Sequence, residues 1–248
     1  MPVDLGRVAA PVREKAGPFL EELAAACGGQ LHSLHVVGSA ATSDWVPGRS
    51  DVNSLVVLRS PDLATVEAVA PLGRRWRGKG IAAPLILDEP YLRSSLDVFP
   101  VEFLELRLVH ATVLGADLLA GIEVRRGDLR AQCEREIKSR LVGLRQGYLG
   151  SLGEAGPLRD LLVRSASGYG PVFRAVVFLH GAEPPVQRRP LLDALAKATG
   201  LDTEVFARLL ELREGRERKP TYESLRVLFE RCYQATERLG RVVDELPG

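Results

Sequence analysis

Four residue types in one short stretch could do chemistry together. Residues 35–58 read HVVGSAATSDWVPGRSDVNSLVVL. An apolar run ends in Gly38-Ser39, a loop follows, and a second apolar run opens with Asp51-Val52-Asn53. In a strand, alternate side chains share a face, so Asp51 and Asn53 point the same way at the head of the second run. Gly38 lets a backbone approach a ligand closely, and the Ser39 hydroxyl and neighbouring N–H groups can donate to phosphate oxygens. A small-residue turn facing a strand with polar groups two apart is a layout for holding a metal-bound phosphate. Taken singly each element is ordinary: Gly-Ser after a strand is common, and an Asp also suits a turn. The order of the set is what carries information. Asp44 and Arg49 lie in the loop, and nothing in their spacing demands a role.

The segment resembles the signature of the nucleotidyltransferase (polymerase-beta-like) superfamily. That signature is an apolar strand, Gly-Ser, roughly ten residues, and two Asp flanking one apolar residue. Gly38, Ser39 and Asp51 match it, with eleven residues between Ser39 and Asp51, and Asn53 stands where the second Asp would be. The resemblance implies transfer of a nucleoside monophosphate from an NTP to a hydroxyl acceptor, with Mg as cofactor and pyrophosphate released. It implies that Asp51 holds Mg, that Gly38 and Ser39 cradle the phosphates and that Asn53 contributes to binding. A third carboxylate from a later strand holds metal or orients the acceptor. The candidates are Glu102 and Glu105, three apart and therefore on opposite faces of a strand. Glu102 is preferred because it resembles the acidic residue in the third-carboxylate strand of aminoglycoside nucleotidyltransferases.

Asn53 complicates the expected chemistry. Asn offers a neutral carbonyl where Asp offers a full charge, so a two-metal clamp loses one bridging anion. Two readings stay open: a working transferase with one well-held Mg between Asp51 and Glu102, or a catalytically degenerate nucleotide-binding or antitoxin-like interaction protein. The acceptor is open among antibiotic, protein and RNA, and a homodimer is an open partner.

The elements that must position these residues follow from punctuation and periodicity. Residues 1–16 read as irregular or as a frayed helix, and Gly17-Pro18 as the start of a helix running through Leu23 and Cys27 to Gly28-Gly29. Strands are expected at 31–37, 52–58, 81–87 and 98–106, with a short further one at 109–114. A helix over 61–80 is expected to turn Leu63, Val66, Val69 and Leu72 inward. Its basic end, RRWRGKG, reads first as cations favoured at a helix C-terminus, with a phosphate or RNA contact as the alternative. A short helix or turn is expected at 89–96 and a short helix at 116–121. After 128 every periodic segment is helical: 129–152, 158–180, 190–199, 203–213 and 222–246. The expected fold is α+β: a nucleotidyltransferase-like mixed sheet with flanking helices over 1–123, then a helical bundle over 124–248. Arg174 and His180 fit the loose Arg-x4–6-His pattern of HEPN ribonucleases, but a helical His beside an apolar run reads first as a packed residue. Tyr169, in the glycine-broken stretch 165–171, reads as core before base-stacking platform. The run 213–219, REGRERK, reads as a solvated interhelical loop.

Composition sets the outer bounds. The 248 residues are 46% hydrophobic and 26% charged, with a net charge of +1, so no global field favours nucleic acid or membrane. No apolar run approaches the length of a membrane span, and the N-terminus does not read as a signal peptide. Cys27, Cys133 and Cys232 are far apart and odd in number, which argues against a disulfide framework or metal spacing and favours a cytoplasmic setting.

Overall fold

The computed structural model describes residues 3–216 and 220–247. It divides into two compact units, Met1–Val124 and Arg125–Gly248. The architecture is α+β, with the mixed sheet confined to the first unit and helices alone in the second.

The first unit opens with α1 (Ala10–Cys27), which buries Val12, Ala16, Phe19, Leu20, Leu23 and Cys27 along one stripe. It starts seven residues before the expected Gly17-Pro18 boundary. Pro18 sits inside the helix on its exposed side, and Glu14, whose carbonyl loses its i+4 donor there, is also exposed, so water can satisfy the orphan. Strand β1 (Leu31–Val37) pairs antiparallel with β2 (Asn53–Leu58). Then come α2 (Leu63–Trp76), β3 (Leu85–Asp88), α3 (Glu89–Ser94), α4 (Pro100–Leu108) and β4 (His110–Gly115). The sheet order is β3-β2-β1-β4, with β3 parallel to β2 and β4 antiparallel to β1.

β1 and β2 are buried on both faces, which is why they read as continuous apolar runs rather than alternations. Leu34, Val36, Val52, Val56 and Leu58 pack with α1 and with Val69 and Leu72 of α2. Leu55 and Val57 face the other way, onto Leu92 of α3 and Phe103 and Leu106 of α4.

Several expectations need correction. The segment expected as a strand at 98–106 is the helix α4, with Pro100 in its first turn, where the missing N–H costs nothing. Its apolar residues occupy both alternate and i+3 positions, so periodicity alone could not separate the two readings. In α2 only Thr65, Val69 and Leu72 are buried; Leu63 and Val66 are exposed. The third strand is shorter than expected, with Ile81 contributing an isolated bridge to Val52 before β3. Residues 116–121 form a turn, not a helix.

The second unit comprises α5 (Arg126–Gly150), α6 (Ala155–Ala166), α7 (Tyr169–Leu179), α8 (Arg188–Thr199), α9 (Glu204–Arg213) and α10 (Tyr222–Asp244). The expected helix at 158–180 is two helices, broken where Ser167 and Gly168 separate α6 from α7. Helix α10 packs on α5, α6 on α9, and α7 on α5 and α8. Tyr169 is core: it lies against Phe173 and Phe206, donates to Thr236 Oγ1 at 2.7 Å, and burial pushes its phenol pKa up. Arg174 is buried and donates to the carbonyls of Pro185 and Val186. His180 Nδ1 donates to the Val176 carbonyl at 2.8 Å. Both halves of the Arg-His pattern therefore hold backbone. Of the basic run 213–219, Arg213 closes α9, and residues 217–219 lie outside the described residues. All three cysteines are buried and free. No described helix is long and apolar enough to cross a membrane.

Candidate functional site

At the end of β1 the chain must turn sharply, and Gly38 takes a left-handed φ of 68° to do so. Residues Gly38–Ala41 form one 3-10 turn. The Gly38 N–H donates to the Val109 carbonyl at 3.0 Å, so it is already used and cannot serve a phosphate. The Ser39 carbonyl accepts from the Thr42 N–H and the Thr42 hydroxyl, both at 3.1 Å. Asn53 pairs with Val37, and Val37 with His110, so these three side chains stand in one row on one face of the sheet. A Cβ built on Gly38 would lie 3.8 Å from Asn53 Nδ2. That is ordinary contact, so a side chain at 38 fits the space and suffers only from the backbone angle. Gly38→Ala is expected to lower unfolding stability by about 1–2 kcal/mol, read as a shifted urea midpoint with unchanged slope.

Two residues before Asn53, Asp51 is exposed and reaches a different place. The Val52 N–H donates to the Gly80 carbonyl at 2.9 Å, and the Ala82 N–H to the Val52 carbonyl at 3.0 Å. This ladder lays the end of the α2 basic segment beside Asp51. A Cβ at Gly80 would lie 3.7 Å from Asp51 Oδ1 and 2.6 Å from Lys15 Nζ, so a side chain there would have to displace the end of the lysine. The result is a cleft of about 960 Å3 whose charged lining is Lys15, Arg49, Arg74, Arg77, Lys79 and Asp51. Lys15 Nζ stands 5.5 Å from the Trp45 ring centre and Lys79 Nζ 4.5 Å from that of Trp76, which steers both long side chains. Five cations and one carboxylate make a polyanion-attracting concavity, because a walled cleft focuses the field of like charges. The basic end of α2 supplies three of these cations, Arg74, Arg77 and Lys79.

The structure brings Gly38 and Asn53 into contact range and sets Asp51 in a cleft that Gly38, Ser39 and Asn53 do not line. Glu102 lies in the first turn of α4, exposed, and does not line that cleft. Because the segment is helical, Glu102 and Glu105 lie on neighbouring positions of one face, and the argument that they oppose each other fails. Phe103 and Leu106 seat α4 on the sheet face that carries Leu55, the face shared by Asn53.

On that same face lies a cluster with no counterpart in the sequence reading: His35, His110 and Asp117. His35 is fully buried, with Nε2 2.9 Å from Ser33 Oγ and Nδ1 3.0 Å from Thr112 Oγ1. Burial, and then the neighbouring His110, lower its pKa to about 4. His110 Nδ1 lies 3.1 Å from the Arg107 carbonyl oxygen and Nε2 3.0 Å from Asp117 Oδ1. Asp117 Oδ1 also accepts from the N–H groups of Leu119 (3.2 Å) and Ala120 (3.1 Å). Partial burial would raise the Asp117 pKa, but the bonds from His110 and Ala120 outweigh it and hold the carboxyl below its usual range. The available signal was a histidine at a core position of an apolar strand; its partners become visible only once β4 is paired beside β1.

No protein-family model matches the chain, and no curated protein matches it. Among solved structures, it is similar to spectinomycin adenyltransferase AAD(9) from Enterococcus faecialis, a structure with ATP and spectinomycin. The match covers 90% of this chain and 98% of that chain, with a TM-score of 0.51 and 12% identity. A second similar structure is a nucleotidyltransferase-like protein from Exiguobacterium sibiricum 255-15, with 91% of this chain and 74% of that chain covered, a TM-score of 0.34 and 12% identity. At these identities the first likeness shows the fold, and the second carries no argument.

Proposed function

We propose that this chain, which shares its fold with an adenyltransferase, is a nucleotidyltransferase-like protein that binds a nucleoside triphosphate in the cleft beside Asp51. The observation that carries the reading is the single carboxylate set among five cations. Lys15, Arg74, Arg77 and Lys79 would neutralise the phosphates.

The donor set fits one Mg ion rather than a pair. Among the described residues the cleft lining offers one carboxylate, and Mg is commonly held by one or two carboxylates together with substrate phosphates. Asp51 would hold the ion, with the Asn53 carbonyl a neutral neighbour. When bound, Mg would polarise a phosphoryl oxygen and offset charge on the departing pyrophosphate. Glu102 does not line this cleft, so the acid expected to orient the acceptor hydroxyl is not supplied by α4 here. Much of the charge compensation that a second carboxylate-held metal gives elsewhere would here fall to the lysines and arginines.

The test begins with binding. Calorimetric titration of ATP into the wild-type chain and into an Arg77→Glu, Lys79→Glu double variant is expected to show affinity falling at least tenfold, with a shallower salt dependence. Equal affinities would overturn the cleft assignment. Transfer is then assayed as Mg-dependent incorporation of labelled nucleotide into candidate acceptors. Spectinomycin comes first, because the similar adenyltransferase was crystallised with it, followed by protein and RNA. Tight ATP binding with no incorporation would favour the degenerate reading, in which Asn53 marks a lost catalytic acid.

A further inference from the structure

We propose that His35, His110 and Asp117 form a binding site for one divalent transition-metal ion of the zinc class. This site is separate from the Asp51 cleft and does not depend on how that cleft is used.

The proton on His110 is placed by what its ring nitrogens face. Its Nδ1 faces a backbone carbonyl, that of Arg107, at 3.1 Å. A carbonyl can only accept, so Nδ1 carries the hydrogen, and a neutral ring then presents a lone pair at Nε2. Nε2 points at Asp117 Oδ1 from 3.0 Å, and that oxygen already accepts from two backbone N–H groups. Two lone pairs at this distance require a positive centre between or beside them. A proton on Nε2 supplies one, but it makes no use of the third member. The fully buried His35 ring lies edge-on to His110 with centres 5.8 Å apart, and one ligand atom from each of the three residues lies within 4.8 Å of the others. Ligands on a tetrahedral zinc ion at about 2.0–2.1 Å are spaced roughly 3.3 Å apart. Small side-chain adjustments therefore close the set.

The surroundings match those of a metal site. Ligating histidines characteristically donate their second N–H to a carbonyl, carboxylate or similar acceptor, which fixes tautomer and ring plane. His110 does so to Arg107. His35 has a hydroxyl at each nitrogen, Ser33 and Thr112, so one hydroxyl can accept its N–H while the other rotates aside to release the lone pair. Two imidazoles and one carboxylate suit zinc-class ions and not Mg, which prefers all-oxygen surroundings. The His110 side chain is 9% exposed and that of Asp117 35%, so the cluster opens to solvent on the Asp117 side. That opening gives the ion a route in and leaves a fourth position for water or an anionic ligand.

The test uses the full chain, stripped with a chelator and dialysed. Titration with zinc by calorimetry, and with Co2+ followed by its visible absorption, is expected to show one ion per chain and the intense bands of tetrahedral cobalt. Asp117→Asn is expected to weaken zinc affinity at least tenfold, and His110→Gln about a hundred-fold with loss of the cobalt bands. Zinc should raise the melting temperature of the wild-type chain and not that of His110→Gln, with far-ultraviolet circular dichroism confirming that both variants fold. Absence of zinc binding by the stripped chain, or equal affinity in all three proteins, would overturn the proposal. ATP titration of the same samples distinguishes this failure from failure of the cleft reading, because neither variant touches the cleft.

Discussion

Gly115→Ala is expected to destabilise the first unit by roughly 2–5 kcal/mol. Gly115 ends β4 opposite Ser33 of β1 with φ at 81°. A left-handed angle alone costs a non-glycine residue about 1–2 kcal/mol. The added Cβ would also lie 2.2 Å from the His32 carbonyl oxygen and 2.8 Å from the Ser33 Cα. Both atoms are backbone of a central strand packed on both faces, so no side-chain rotation relieves the overlap. Strand β4 must lift off β1, and overpacking of this kind costs about a further 1–3 kcal/mol. The measurement has a convenient probe. The two tryptophans, Trp45 and Trp76, both lie in Met1–Val124, so their fluorescence in a denaturant titration reports this unit alone. A midpoint equal to the wild type would contradict the β1–β4 register. Asp117 follows Gly115 by two residues, so zinc affinity should fall with stability.

Asp51→Asn is expected to reduce Mg-dependent nucleotide transfer by about a hundred-fold or more, the scale seen when one preorganised electrostatic group is removed. Its effect on ATP binding should change sign with the metal. With Mg, affinity falls, because the carboxylate that links the ion to the protein is gone. Without Mg, affinity holds or improves, because the substitution removes the one negative side chain lining the cleft and with it a like-charge repulsion. Measuring both conditions in one buffer makes the crossover internal to the experiment. Weaker binding in both, or transfer at the wild-type rate, would remove Asp51 from the role assigned to it.

What the sequence determined by itself was the local part. The Gly38 turn between two apolar strands was legible because glycine alone takes a left-handed angle freely and because β-branched runs suit buried strands. The helical second unit was legible from its 3.6-residue periodicity, with the break before Tyr169 marked by glycine. Where a segment satisfied two periods at once, as at 98–106, local information ran out. Phe103 and Leu106 pack on Leu55 and Val57 only as a helix, and that preference belongs to the sheet face they cover. The tertiary structure decided the rest for the same reason. Lys15 comes from α1, Asp51 from the approach to β2 and Lys79 from the end of the α2 segment, and they share a cleft because Val52 bridges Ile81. His35 and His110 lie 75 positions apart and meet because β4 returns antiparallel beside β1. Spacing along the chain encodes turn angles and faces, whereas the meeting of charges and ligands from distant segments is set by strand pairing, which the burial of both sheet faces selects.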